Sequence, residues 1–265
     1  MLKRGLSAKQ FLPVFWGGVV GIMGGLIGLG GAEFRLPILI RIFHYSTLQA
    51  IIINLIVSLV TVIFSLLFRN GIEGLINIAN HFPIILNILA GSLLGSYLGV
   101  NYATGINEKL LTRIVIIFLV VISFILIGHD LIFNIGDWQL PPLLQIITAL
   151  IAGIVIGIFS GLLGVAGGEL IIPTIILIFA IDIQLAGNLS LAISMPTILM
   201  GLFKYNQQDK LKEVKSENNF LILIAIGSVL GAFIGSYFLQ YVTSTALYWI
   251  LGIILLISAF KLAKH

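Results

Sequence analysis

Two acidic side chains are the best candidates for chemistry in this sequence, because each follows a cluster of glycines in an apolar stretch. Glu33 ends the run Gly-Leu-Gly-Gly-Ala-Glu at residues 28–33, and Glu169 ends the run Gly-Val-Ala-Gly-Gly-Glu at residues 164–169. A carboxylate at membrane depth costs about 2.5 to 3.5 kcal/mol unless it is sheltered or protonated. The pair predicts proton coupling, in which burial favours the protonated form and proton uptake accompanies anion binding. The alternative is that each Glu lies in the first turn of a helix, where its charge is favourable.

The glycines themselves predict a binding site made of backbone. Glycine lets the chain turn sharply and approach a ligand closely, because no Cβ intervenes. A break that is followed by a new helix leaves free N–H groups and a positive dipole end at the break, which suits an anion. Two such breaks could direct two helix ends at one anion. The predicted backbone ligands are Gly28, Gly30 and Gly31 in the first cluster and Gly164, Gly167 and Gly168 in the second.

Polar side chains near these clusters complete the predicted site. Arg35 either contacts the anion or reaches the membrane interface, and it has no counterpart, because Ile171 occupies the matching position. Two pairs of polar residues, each spaced four apart on one helical face, either donate hydrogen bonds to the anion or join neighbouring helices. These pairs are Asn54 with Ser58 and Ser190 with Ser194. Asn188 is a weaker candidate.

The composition places these residues in a membrane protein. Of the 265 residues, 59% are hydrophobic and 9% are charged, whereas about 25% of a soluble domain is charged. Apolar runs of about 20 residues recur along the chain and are long enough for helical spans, and the alternating pattern of barrel strands is absent. The net charge of +4 comes from Lys and Arg in the connections. This pattern indicates cytoplasmic loops, with both termini in the cytoplasm, and no nucleic-acid binding.

Residues for metal, cofactor or enzyme chemistry are missing from the sequence. The chain has no Cys, and its four His residues are scattered without the spacing of metal ligands. It also contains no Ser, His and Asp set and no cofactor fingerprint. We therefore predict no metal, no cofactor and no enzymatic activity.

An internal duplication organises the chain. Sliding the sequence by 136 positions places the first Gly-rich segment on the second without a gap. The same offset continues downstream into stripes of small residues that are typical of close helix packing. The stripes are Gly91, Gly95 and Gly99 in the first copy and Gly227, Gly231 and Gly235 in the second. The chain therefore divides into a first repeat at 11–128, a linker at 129–141 and a second repeat at 142–265.

Each repeat is predicted to hold a Gly-rich segment followed by three transmembrane helices. The segments cover residues 11–43 and 142–181. The helices cover residues 48–68, 83–103 and 110–128, and then 184–203, 220–240 and 246–260. If the Gly-rich segments span the membrane, the 14 Lys and Arg residues divide ten to four between its sides; if they enter and return, the division is thirteen to one, with only Arg69 opposite. The charges favour the broken, re-entrant arrangement, which makes the two repeats inverted.

The duplicated motif resembles that of the sulfite exporter TauE/SafE family of membrane permeases. That family carries a Gly-x-Gly-Gly-Gly-x-x-x-x-Pro element in each of two homologous halves. The matching residues are Gly28, Gly30, Gly31 and Pro37 in the first copy and Gly164, Gly167, Gly168 and Pro173 in the second. Ala32 and Ala166 each replace one glycine of the element. The resemblance implies transport of sulfite, sulfonates or related sulfur-containing anions.

Together these features predict an all-α integral membrane protein of the cytoplasmic membrane. Its predicted function is that of a secondary permease for a small sulfur-containing oxyanion, coupled to protons and working by alternating access around a site between the two tips. Its partners would be a small inorganic or organosulfur anion, protons and membrane lipid, in an oligomeric state that the sequence does not indicate. The alternative is a passive anion channel with the same site and no proton coupling.

Overall fold

The structure, a computed structural model, describes residues 8–69, 71–102, 116–117, 120–121, 123–124, 127–128, 141–163 and 167–263. Within these residues the regular structure is helical, and no strand occurs. The first repeat contains α1 (Ala8–Ile27), α2 (Ala32–Arg41), α3 (Thr47–Phe68), α4 (Gly71–Asn80) and α5 (Phe82–Tyr102). The second contains α6 (Pro142–Leu163), α7 (Gly168–Phe179), α8 (Ile183–Gln207), a 3₁₀ helix (Lys210–Glu217), α9 (Asn218–Leu239) and α10 (Ser244–Ala263).

Five segments of the described chain are long and apolar enough to cross a membrane. They are Leu48–Phe68, Phe82–Val100, Pro142–Gly161, Ile183–Gln207 and Lys210–Leu239. This architecture is that of an all-α integral membrane protein, as the composition predicts.

The predicted helices agree with the observed ones to within a few residues at their ends. The helices α3, α5, α8, α9 and α10 correspond to the predictions at 48–68, 83–103, 184–203, 220–240 and 246–260. The predicted helix at 110–128 lies mostly outside the described residues, although those described between 116 and 127 are helical. Within it, Ser123 donates a hydrogen bond to the Gly252 carbonyl of α10 at 2.6 Å. The short helix α4 and the 3₁₀ helix were not predicted, and they connect longer helices.

The Gly-rich helix of each repeat packs along a helix of the other repeat. The contacts of α1 with α9 are Gly17 on Ile224, Gly21 on Ser228 and Gly25 on Ala232. The equivalent contacts of α6 with α5 are Gly153 on Ile88, Gly157 on Ser92 and Gly161 on Ser96. At each of these glycines a Cβ would strike backbone of the neighbouring helix, so only glycine permits this distance. Because the numbers rise together, both pairs are parallel, and the two repeats interlock through equivalent surfaces.

The equivalent helices α3 and α8 run antiparallel. Arg69, directly after α3, donates to the Gln184 carbonyl near the start of α8 at 3.2 Å. Gln49, near the start of α3, donates to the Glu213 carbonyl beyond the end of α8 at 3.4 Å. Both helices begin at a side-chain cap, in which Ser46 accepts from the Gln49 N–H and Asp182 accepts from the Gln184 N–H. The end of α3 therefore lies beside the start of α8, and the start of α3 lies near the end of α8.

The segment formed by α1 and α2 turns back on itself. Along α1, Gly17 faces Ile224 and Gly25 faces Ala232, so α1 runs away from the start of α9. After α2 the chain is back at that start, where the Phe43 and Phe220 ring centroids lie 4.8 Å apart. The first Gly-rich segment is thus a helical hairpin along α9, and the break between α1 and α2 forms its tip.

Candidate functional site

The tips of the two broken helices lie in direct contact. The first break contains Gly28, Gly30 and Gly31, whose φ angles of 93°, 78° and 73° lie in the left-handed region that favours glycine. A Cβ on Gly168, the first residue of α7, would stand 2.8 Å from the Leu29 Cα in that break. The structure therefore brings the first glycine cluster against Gly168, the last glycine of the second cluster.

Each break leads into the positive end of a new helix. Gly31 and Gly167 precede α2 and α7 as N-caps with left-handed φ angles of 73° and 76°. The Arg35 N–H donates to the Gly31 carbonyl at 3.3 Å. In the second helix the Leu170 and Ile171 N–H groups both donate to the equivalent Gly167 carbonyl, at 3.0 and 2.9 Å. N–H groups ahead of the first such bond have no acceptor within a helix, so they point toward the break. Gly164, the remaining predicted ligand, lies outside the described residues.

The two predicted carboxylates stand at the start of these helices. Glu169 is the second residue of α7, and 6% of its surface is exposed. Glu33 is the second residue of α2. Both positions lie in a first helical turn, where a negative charge is favourable. The burial of Glu169 is also what the proton-coupling hypothesis requires, so its position fits both interpretations.

Arg35 is buried inside the protein and bound by the polar face of α3. Its Nη1 donates to Ser58 Oγ at 2.9 Å and to Asn54 Oδ1 at 3.3 Å. Its Nη2 donates to Thr61 Oγ1 at 3.2 Å and to Ser228 Oγ of α9 at 3.5 Å. None of its surface is exposed, so the alternative of an interfacial arginine is wrong. Asn54 and Ser58 therefore hold the guanidinium beside the first tip.

The repeat equivalents of this pair, Ser190 and Ser194, have a different environment. Both hydroxyls are buried, and neither makes a hydrogen bond within the described part of the chain. The reason lies in α7, where the fully buried Ile171 occupies the position equivalent to Arg35 and offers no donor. The two pairs are equivalent in the repeat register, and in the described residues the hydroxyls of the second pair are buried without a hydrogen-bond partner.

Arg69 is a buried cation that no sequence pattern marks as part of the site. It follows α3, and 1% of its surface is exposed. Its Nε donates to Asn188 Oδ1 of α8 at 2.6 Å, and its Nη1 donates to the Gly25 and Leu26 carbonyls of α1 at 3.0 and 3.2 Å. With the bond to Gln184, this guanidinium joins the end of α1 to the start of α8 across the two repeats.

The residue equivalent to Arg69 in the second repeat has a similar contact. Position 69 falls on Tyr205 with the same offset of 136 that relates the tips. Tyr205 donates its hydroxyl to the Gly161 carbonyl at 3.1 Å, and Gly161 is the equivalent of Gly25. Both repeats therefore place a long polar side chain on the same carbonyl near the tip, and only the first repeat uses a cation.

Tyr45 lies outside the membrane-spanning helices and donates its hydroxyl to Glu217 at 2.6 Å. Burial and this hydrogen bond raise the pKa of Tyr45, so its hydroxyl stays neutral beside the first hairpin. In the part of the chain that the structure describes, no group of three His, Cys, Asp or Glu residues could hold a metal ion.

Comparison with known proteins gives matches that span both repeats. The profile of the sulfite exporter TauE/SafE family matches residues 3–126 and 147–264. A Methanocaldococcus jannaschii protein named as a probable membrane transporter is 29% identical over 208 residues, which cover 73% of this chain and 71% of the relative. No solved structure matches the chain.

Proposed function

The chain belongs to the sulfite exporter TauE/SafE family and is a multi-pass membrane transporter, and on this basis we propose that it carries a small sulfur-containing oxyanion together with protons. The proposed binding site lies where the first tip meets the start of α7. The observation that carries this proposal is the contact of Leu29 with Gly168, which joins the two breaks. An anion at this contact would be close to the positive ends of two helices.

Backbone N–H groups and neutral hydroxyls are the proposed ligands of the anion. The N–H groups belong to the first turns of α2 and α7, and the hydroxyls belong to Ser190 and Ser194. A buried hydroxyl without a partner costs free energy, so it gains from donating to an oxyanion. None of these ligands carries a full charge.

The acidic residue at each tip supplies the proposed proton coupling. An ionised Glu169 beside the anion would repel it, whereas a protonated one would not, so anion and proton are favoured to bind together. Glu33 has the equivalent position in the first repeat. Transport would then draw on the proton gradient without any further cofactor.

An inverted arrangement of the repeats supports alternating access around this site. The antiparallel course of α3 and α8 and the interlocked pairs α1–α9 and α5–α6 are the contacts expected of two repeats related by inversion. Movement of one hairpin with its partner helix would expose the tips to one side of the membrane at a time. We place the protein in the cytoplasmic membrane with both termini in the cytoplasm, because the re-entrant assignment puts thirteen of the 14 Lys and Arg residues on that side.

Flux measurements in liposomes test the proposal. Purified protein is reconstituted, and accumulation of sulfite is measured with and without an imposed pH gradient. For one proton per monovalent anion, each pH unit is expected to support about tenfold accumulation. Glu33→Gln and Glu169→Gln should each abolish uphill flux. Glu213→Gln is the matched control, because Glu213 pairs with Lys210 in the 3₁₀ helix at 3.6 Å and both side chains are exposed.

The outcomes separate a carrier from a channel. Uphill flux that both tip variants retain unchanged would remove the proton role of the two Glu residues. Downhill flux that the pH gradient never drives uphill, in the unaltered protein, would identify the passive anion channel. That result would contradict the proposed proton coupling but not the proposed binding site at the tips.

A further inference from the structure

Arg69 carries a positive charge for which the described part of the chain provides no carboxylate. Its four hydrogen bonds go to one side-chain amide and three backbone carbonyls. Neutral oxygens satisfy the hydrogen-bonding donors of a guanidinium but leave its net charge in place. Because a buried charge is stable only with a compensating charge or dipole, the environment of Arg69 calls for an anion.

The end of α1 compensates part of this charge. Gly25 and Leu26 lie in the last turn of α1, and their carbonyls belong to the negative end of the helix dipole. That end is equivalent to about half an elementary charge. A cap of this kind explains why a cation lies here, but it offsets only about half of the charge on Arg69.

The remaining donor of Arg69 lies beside the first tip. Nη2 carries two N–H groups, and only one of them has an acceptor in the described residues, the Gln184 carbonyl. This atom would stand 2.8 Å from a Cβ on Gly187. The same glycine receives the tip, because a Cβ on Gly28 would stand 2.6 Å from the Gly187 carbonyl oxygen. Gly187 thus lies against both Arg69 and the first break.

We propose that Arg69 is a further anion-binding residue, which compensates the charge of the transported oxyanion as it occupies the site at the tips. This inference rests on the proposed function and adds to it a buried cation whose hydrogen-bond acceptors in the described residues are all neutral. It also makes the site asymmetric, because Tyr205 offers a neutral hydroxyl in the equivalent place. The substrate is accordingly an anion with at least one full negative charge at neutral pH.

Binding measurements on the purified full-length protein test this assignment. Calorimetric titration at pH 7.5 uses five probes: sulfite, thiosulfate, sulfate, taurine and sulfoacetate. The variants are Arg69→Gln, which removes the charge, Arg69→Lys, which keeps it, and Tyr205→Phe, which removes the equivalent hydrogen bond in the second repeat without a change of charge. Gel filtration and thermal unfolding establish that each variant is folded.

Arg69→Gln is expected to raise the Kd of the best-bound probe at least tenfold. The variant loses a charge-assisted hydrogen bond to the anion, and such bonds are stronger than those between neutral groups. Arg69→Lys should remain within tenfold of the unaltered protein, and Tyr205→Phe within twofold. If Arg69 only holds α1 against α8 and does not contact the anion, Arg69→Gln and Arg69→Lys should weaken binding equally. The reason is that neither side chain can make all four hydrogen bonds of the guanidinium. That result, or an unchanged Kd in Arg69→Gln, would overturn the assignment.

Failure of the proposed function gives a different result from failure of this assignment. If the unaltered protein binds none of the five probes, the proposed substrate class falls, and the role of Arg69 falls with it. If it binds a probe and Arg69→Gln binds that probe equally well, only the role of Arg69 falls. Should Arg69→Gln fail to fold, Arg69→Lys alone decides, because a loss beyond tenfold contradicts the charge role and a smaller one supports it.

Discussion

A single methyl group at Gly21 is expected to separate α1 from α9, whereas the same change at Gly18 is expected to be harmless. A Cβ on Gly21 would overlap the Ser228 carbonyl oxygen and stand 2.9 Å from the Ser228 Cα, both of which are backbone of α9. A Cβ on Gly18 would stand 3.6 Å from the Gly227 carbonyl oxygen, which is an ordinary van der Waals contact. The two glycines lie on the same helix, so the two variants differ chiefly in clearance.

The expected magnitude follows from these distances. To reach a contact of about 3.5 Å, the helices must separate by roughly 0.6 Å at the Ser228 Cα and by more at its oxygen. Overpacking of this kind costs about 1 to 3 kcal/mol. Both variants gain about 0.8 to 1 kcal/mol of helix propensity, which cancels in the comparison. Gly21→Ala should therefore have a free energy of unfolding about 1 to 3 kcal/mol lower than that of Gly18→Ala.

Unfolding in mixed micelles at rising SDS fraction measures this difference on purified variants. Gly157→Ala serves as the repeat equivalent, because its Cβ would overlap the Ser92 carbonyl oxygen and stand 2.8 Å from the carbonyl carbon. It should lose about as much stability as Gly21→Ala. If Gly21→Ala unfolds at the same SDS fraction as Gly18→Ala, or at a higher one, the backbones are not in close contact and the packing argument is refuted.

Three further substitutions test the roles assigned to polar and small residues near the tips. Ser58→Ala should lower the free energy of unfolding by about 1.5 to 3 kcal/mol, because Arg35 loses its 2.9 Å partner. Ser194→Ala removes a buried hydroxyl that has no partner in the described residues, so its free energy of unfolding in SDS should be unchanged or higher. The same variant should have a higher KM for sulfite flux, and an unchanged KM would exclude the hydroxyl from the site. Gly187→Ala should abolish anion binding, because its Cβ would stand 2.5 Å from the Ile27 carbonyl oxygen and push the tip away; a wild-type Kd in calorimetry would contradict this docking.

The sequence predicts those features of the site that depend on local backbone requirements. The left-handed glycines of the first tip and the position of Glu169 at a helix start follow from residue types at short spacing, and the constant repeat offset locates them twice. Tertiary partners do not follow in this way. The sequence pattern places Arg69 in a loop after α3. No hydrophobic periodicity indicates that the end of α3 contacts the end of α1. Similarly, spacing places Ser58 on a polar helical face, but it does not reveal that Arg35 from another helix binds there.

The differences between the repeats have an energetic consequence for a carrier of this plan. Two identical inverted repeats would give end states of equal energy, because each state would be the other viewed from the opposite side of the membrane. In this chain Arg35 is matched by Ile171 and Arg69 by Tyr205, so the two buried cations among the described residues both belong to the first repeat. Arg69 makes four hydrogen bonds where Tyr205 makes one. Under the alternating access that we propose, an end state that breaks the Arg69 contacts would therefore be costlier than its mirror state. An anion that binds Arg69 in only one of the two states would shift the balance by its difference in affinity.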